Sequence, residues 1–107
     1  MVVREWQGRA EYDRRAVYPA HFHERVLPEL RGTPGFLGAE LLIADHGGEI
    51  EFKVMTRWES MDAIRSFAGD NLTKAVVEPG AIAALIDFDD QVTHYTLLES
   101  FWTMACN

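Results

Sequence analysis

Phe36-Leu37-Gly38-Ala39-Glu40-Leu41-Leu42-Ile43-Ala44-Asp45-His46-Gly47-Gly48-Glu49-Ile50-Glu51-Phe52-Lys53-Val54-Met55-Thr56-Arg57-Trp58 is the stretch that decides the fold. Two apolar-rich runs flank Asp45-His46-Gly47-Gly48. Glycines supply the positive φ that a tight turn needs, so the runs pair as antiparallel strands over 36–44 and 49–58. Side chains alternate across a strand. Ile50, Phe52, Val54, Thr56 and Trp58 therefore share one face, and Glu51, Lys53, Met55, Arg57 and Glu59 share the other. The first face reads as a core covered by helices. The second is mixed, which suits a partly polar interface with a second copy of the sheet.

The rest of the chain extends this hairpin in both directions. Gly32-Thr33-Pro34-Gly35 is a breaker. Before it, Asp13 offers a cap and residues 14–30 carry Tyr18, Phe22, Val26 and Leu30 at helical spacing. Pro19 and Pro28 each remove a donor, predicting a kink or a helix that starts near Pro19. Residues 2–11, with Val and Trp among polar residues, read as a strand. Beyond the hairpin, Ser60 caps a helix with Met61, Ile64 and Phe67 inward, and Gly69-Asp70-Asn71 ends it. A helical turn follows near 72–77. Pro79 opens a helix over 79–87 with Ile82, Leu85 and Ile86 apolar. Asp87, Asp89 and Asp90 mark a loop, and 91–99 form the last strand. Strand, helix, hairpin, helices, strand is the split βαβ order. The expected fold is α+β and ferredoxin-like: βαββαβ with an antiparallel sheet, one domain over 2–99, then an apolar tail over 100–107.

Composition narrows the partners. The 107 residues hold 17 Asp and Glu against 10 Lys and Arg, a net charge of −7. An acidic surface repels phosphate backbones, and the arginines form no basic stripe. Neither nucleic acid nor a membrane surface is expected as a partner. No apolar run approaches the ~18 residues of a membrane span. Residues 1–6 lack a signal-peptide pattern. The single Cys106 cannot form an internal disulfide or a thiolate metal site. A cytoplasmic protein is expected. A domain of this length buries about 65% of its unfolded surface, a modest core that dimerisation commonly supplements.

Several stretches resemble one family. Thr33-Pro34-Gly35-Phe36-Leu37-Gly38, followed by an alternating strand, is similar to the P-G-F-x-G segment of the antibiotic-biosynthesis monooxygenase superfamily. Thr56-Arg57-Trp58-Glu59-Ser60-Met61-Asp62-Ala63-Ile64 resembles its strand-to-helix junction. Phe67-Ala68-Gly69-Asp70 and Val92-Thr93-His94-Tyr95 resemble a helix end and last strand of an uncharacterised branch. The resemblance implies a dimeric α+β barrel, two protomers packed sheet to sheet, each with a pocket between sheet and helices. Activities it implies include cofactor-independent oxygenation of polycyclic phenols, oxidative haem cleavage and reactions on quinols. Fold likeness alone does not choose among them. In the haem-cleaving branch, the helix tryptophan's place is taken here by Phe67, and the ligating histidine's place falls near Val77. The first-strand asparagine falls near Trp6 or Gln7. Valine cannot ligate iron, so haem cleavage of that type is disfavoured, with another His left as the alternative ligand; no cofactor is expected.

Four histidines and several aromatic residues could carry chemistry. His94 shares a strand face with Val92, Thr96 and Leu98, which points it inward as a general base or hydrogen-bond partner. His21 and His23, two apart on a helix, point in different directions. His21, on the Phe22 side, can approach the sheet as the other candidate base; His23 faces solvent. His46 sits solvated in the turn. Trp6, Trp58, Phe67 and Phe22 are candidate walls for a flat aromatic substrate as well as candidate core residues. Arg4 and Arg57 could pair with an anionic group, but surface or interface salt bridges are the favoured expectation, and Tyr95 is expected at an interface. No paired His or Cys spacing marks a metal site. His21, His94 and a carboxylate could meet in space as a facial triad, but no metal is expected. The tail, with Phe101, Trp102 and Met104, is expected to pack on a partner subunit or across the mouth of a pocket.

Two functions lead the expectations, ahead of another small-molecule reaction on this fold such as isomerisation or dehalogenation. The first is a cofactor-independent monooxygenase acting on a small aromatic, phenolic or quinol-type molecule in a sheet–helix pocket. The second is a non-catalytic, stress- or pathway-linked homodimer that binds a small aromatic molecule.

Overall fold

The computed structural model describes residues 1–103. Met104 and Cys106, on which part of the tail reading rested, lie outside the described residues. The elements are β1 (Val2–Glu11), a 3-10 turn (Tyr12–Arg14), α1 (Val17–His21), a π-helical turn (Phe22–Val26), α2 (Leu27–Arg31), β2 (Phe36–Asp45), β3 (Glu49–Trp58), α3 (Met61–Ala68), α4 (Pro79–Ala84), β4 (Asp87–Phe88) and β5 (Thr93–Thr96). The fold is α+β and ferredoxin-like. β1 lies between β3 and the two short final strands, β2 forms the far edge, and every pairing is antiparallel.

The hairpin is where its sequence places it. Gly47 and Gly48 take φ of 74° and 105°, and Gly48 N–H donates to the Asp45 carboxylate at 2.9 Å. Ile50, Phe52, Val54, Thr56 and Trp58 are all buried. In register with them stand Ala10, Gly8, Trp6, Arg4 and Val2 of β1, on the same helix-covered face. The outer face carries ion pairs, Arg57 with Glu40 at 3.0 Å and Lys53 with Glu5 at 3.8 Å. One feature of β2 was not legible. A bulge between Phe36 and Gly38 shifts the register, so Phe36, Ala39, Leu41 and Ile43 share the inner face.

The helix over 17–31 runs continuously and absorbs both prolines. It begins at Val17 and not at residue 14, and Pro19 falls in the first turn, where a missing N–H has no partner to lose. Pro28 would lose a helical bond and clash with the preceding turn. The chain widens instead: the Leu27 N–H reaches back to the Phe22 carbonyl, a π-type bond, just before the proline. α3 matches its sequence limits. The Ser60 hydroxyl accepts from the Ala63 N–H at 3.2 Å, and Gly69 ends the helix with φ 80°.

The C-terminal third departs from expectation in three places. The segment 72–77 makes only a turn at 72–73 and a single bridge from Lys74 to Gln91, with no helical turn. α4 stops at Ala84, and its inner face is Ala81 and Ala84, while Ile82 is exposed. Small side chains allow α4 to lie close against α1, which the larger isoleucine would prevent. The last strand is split. The acidic segment read as a loop contains β4, held to β1 by ion pairs from Arg9 to Asp87 and, at 2.8 Å, to Asp89. The chain then leaves β1, and residues 89–92 stand opposite only Trp6 and Gln7. This excursion bonds to the segment after α3, through Ala75 N–H to Asp90 O and Val92 N–H to Thr73 O, both 2.8 Å. β5 then spans only Thr93–Thr96. No helix of the described residues is long and apolar enough to cross a membrane.

Candidate functional site

The gap in the last strand opens over a cavity between sheet and helices. Its walls come from β1 and β3 (Arg4, Trp6, Val54, Thr56), from helix 17–31 (Tyr18, His21, Val26, Leu30) and from the segment around Val76, Val77 and Glu78. Phe67, Ala81 and Val92 complete it. Trp6 is set by local chemistry. A Cβ on Gly8 would stand 2.9 Å from the Trp6 ring, so the missing side chain two residues on lets the indole lie along the sheet. Its Nε1 donates to the Asp89 carbonyl at 2.8 Å, and its ring packs against Tyr18 with centroids 5.6 Å apart.

The enclosed space is only about 60 Å³, enough for a few waters and not for an aromatic ring. On the far side of Val77 lies a groove of about 410 Å³ with Lys74, Ile82, Phe88 and Gln91 in its walls. Val77 is thus the wall residue shared by the two spaces.

His21 lines the cavity, and its Nε2 is buried with no hydrogen-bond partner among the described residues. Its ring lies over Gly80 of α4, where a Cβ would come within 2.7 Å of Nδ1. Gly80 is therefore the seat of the imidazole. His94 faces inward, as its strand alternation predicts, in register with Arg4. Its Nε2 stands 3.0 Å from Arg4 Nη1. A guanidinium only donates, so His94 Nε2 holds a lone pair and the proton sits on Nδ1. Burial, then the Arg4 charge, lowers the His94 pKa below its ordinary 6.5.

Arg4 is the residue whose place the sequence reading got wrong. A surface or interface salt bridge was favoured over pairing with an anionic group; the residue is 5% exposed on the inner face. Nη1 also donates to the Leu72 carbonyl at 2.7 Å and Nη2 to the Lys74 carbonyl at 3.0 Å. Burial pushes its pKa down to about 10, which leaves it charged at neutral pH. Its even position on β1, shared with Val2 and Trp6, was the available signal. Arginine's preference for surfaces outweighed it.

The remaining candidates divide. Trp6 and Phe67 line the cavity. Trp58 and Phe22 are buried in the core cluster and are not among its walls. Trp58 Nε1 donates to Thr56 Oγ1 at 2.8 Å, and its ring packs between Phe36 and Phe67. His23 is exposed, His46 pairs with Glu51 in solvent, and Arg57 pairs with Glu40 on the outer face. Behind His21, Tyr18 is raised by burial and by the Glu78 charge. Glu29 is raised by its hydrogen bond to Glu78, then by burial. No group of three His, Cys, Asp or Glu side chains stands close enough to hold a metal ion among the described residues.

The model of the antibiotic biosynthesis monooxygenase family matches residues 1–80. The chain belongs to this family. Solved structures share the fold across nearly the whole chain. A putative antibiotic biosynthesis monooxygenase from Bacillus cereus is 18% identical, with TM-score 0.65 over 95% of this chain and 97% of that one. The haem degrader MhuD from Mycobacterium tuberculosis, solved with two haems in its active site, is 20% identical, with TM-score 0.65 over 95% and 100%. SnoaB, a cofactor-independent oxygenase from Streptomyces nogalater, is 16% identical, with TM-score 0.57 over 92% and 93%. A comparison with curated protein sequences finds no match.

Proposed function

We propose that this protein is a cytoplasmic, homodimeric, cofactor-independent monooxygenase acting on a small aromatic molecule with an acidic hydroxyl. The observation that carries the reading is His21 Nε2, buried on an apolar wall with no hydrogen-bond partner among the described residues. A buried imidazole nitrogen without a partner is costly to maintain unless a ligand completes it. Placed in a cavity with aromatic walls, it is a general base waiting for an O–H. Family membership supports the reaction type. His94, whose Nε2 is engaged by Arg4, is the weaker base candidate.

His21 takes the hydroxyl proton, leaving an electron-rich oxyanion. Dioxygen is the oxidant and adds at a ring carbon bearing hydrogen. One oxygen atom stays on that carbon as a carbonyl. The other leaves as water, with the hydroxyl proton and the ring hydrogen. The product is a quinone, formed with one O2 consumed. Trp6 and Phe67 flank the ring once the Val77 wall moves to admit it, and the apolar walls then exclude water from the intermediate.

1-Naphthol tests this directly. We expect one O2 taken up per 1,4-naphthoquinone formed, and a loss of about 10²- to 10⁴-fold in kcat for His21→Ala. Absence of oxygen uptake by the wild type, or uptake unchanged in the variant, overturns the reading. Binding of naphthol without uptake favours a non-catalytic binding protein.

A further inference from the structure

Arg4 carries a charge that its surroundings do not balance. It lines the apolar cavity at 5% exposure, and each of its three acceptors is neutral: the Leu72 carbonyl, the Lys74 carbonyl and the His94 lone pair. Among the described residues no carboxylate stands within ion-pair distance of it, whereas Arg9, Arg57 and Arg65 each have one. Acids are not scarce in a chain with 17 Asp and Glu. A buried charge is normally paired, because the interior solvates it poorly. Three of the five guanidinium hydrogens are used by those acceptors; Nε–H and one Nη2 hydrogen have no partner among the described residues. Two donors on a rigid guanidinium are thus left for an oxygen anion.

We propose that Arg4 is the oxyanion-binding residue of the cavity, and that its ligand is a compact aromatic bound as its phenolate. This rests on the reading of the cavity as a site for an acidic aromatic, and adds the protonation state in which that molecule is held. Phe67 stands 6.0 Å from the guanidinium carbon, so a ring admitted beside Phe67 when the Val77 wall moves brings its oxygen to Arg4. His94 is a positioning residue. By accepting from Nη1 it turns the fork so that Nε and the second Nη2 hydrogen face the space. The proton given up by the ligand passes to His21 or to water.

4-Nitrophenol reports this without any turnover, because its phenolate and phenol absorb at different wavelengths. With the whole chain, titration of the bound dye should show ionisation at least about one pH unit below that of the free dye, a tenfold preference for the phenolate. Arg4→Gln should abolish the shift, and Arg4→Lys should keep part of it. The wild-type measurement stands even where a variant folds poorly. A bound dye that ionises at or above the free value overturns the proposal. So does a shift that survives Arg4→Gln, or no binding at millimolar dye. Phenolate-selective binding without oxygen uptake upholds this inference while removing the oxygenase reading.

Discussion

His94 and Arg4 form the most telling pair at the residue scale. The imidazole accepts from the guanidinium at 3.0 Å, so protonating it would both break that bond and put two cations in contact. The His94 pKa is accordingly lowered in the fold, first by burial and then by Arg4. As pH falls through the ordinary histidine value of 6.5, the unfolded chain takes up the proton before the native one does. Stability from this group is therefore complete above that value and is lost on acidification, until the folded-state imidazole is protonated too. Urea midpoints compared at about pH 7 and about pH 5 should fall less for His94→Gln than for the wild type. An equal fall in both proteins would show that His94 is not held neutral. The amide oxygen of glutamine can still accept from Arg4, so the comparison isolates the titration.

Caps and turns decide the fold at the scale of elements. α3 is short, and its inward residue Ile64 is fully buried. Its position depends on a clean start, given by the Ser60 hydroxyl on the Ala63 N–H. Ser60→Ala should cost about 1 kcal/mol, read as a lower urea midpoint with an unchanged slope. No change in midpoint would mean that water replaces the cap at no cost. The π-helical turn at Phe22–Val26 answers Pro28, and it follows His21 directly. The widened turn lets the helix continue past the proline while His21 stays against Gly80. At this scale the sequence was legible wherever a local rule applies: glycines in the hairpin, a serine cap, alternation along β3. It was not legible at β4 and β5, whose limits depend on where β1 offers partners.

The whole molecule leaves an apolar surface beyond the outer sheet face. Val3, Met55, Tyr95 and Leu97 line a shallow groove there, and Trp102 lies 5.7 Å from the Arg57 guanidinium carbon. The described part of the tail thus runs over its own sheet, yet Leu98, Phe101 and Trp102 stay 93%, 82% and 71% exposed. Large apolar side chains gathered at one face of a small domain are the usual mark of a partner surface. A second copy packed sheet to sheet would cover them. Light scattering should then give a mass about twice the 12.2 kDa of the chain. A mass at the single-chain value would exclude the dimer.

The hairpin, the inner face of β3, the capped α3 and the βαββαβ order were determined by the sequence alone, because turn chemistry and side-chain alternation act over a few residues. The inward direction of His94 was readable for the same reason. The burial of Arg4, the occupied lone pair of His94, the orphaned nitrogen of His21 and the break in the last strand over Trp6 were decided only by the tertiary structure. Arg4 meets Leu72 and His94 across 68 and 90 residues of chain. No local pattern encodes such pairings. They exist because the sheet brings β5 and the segment after α3 against β1, and burial then decides which polar atoms are satisfied and which have no partner among the described residues.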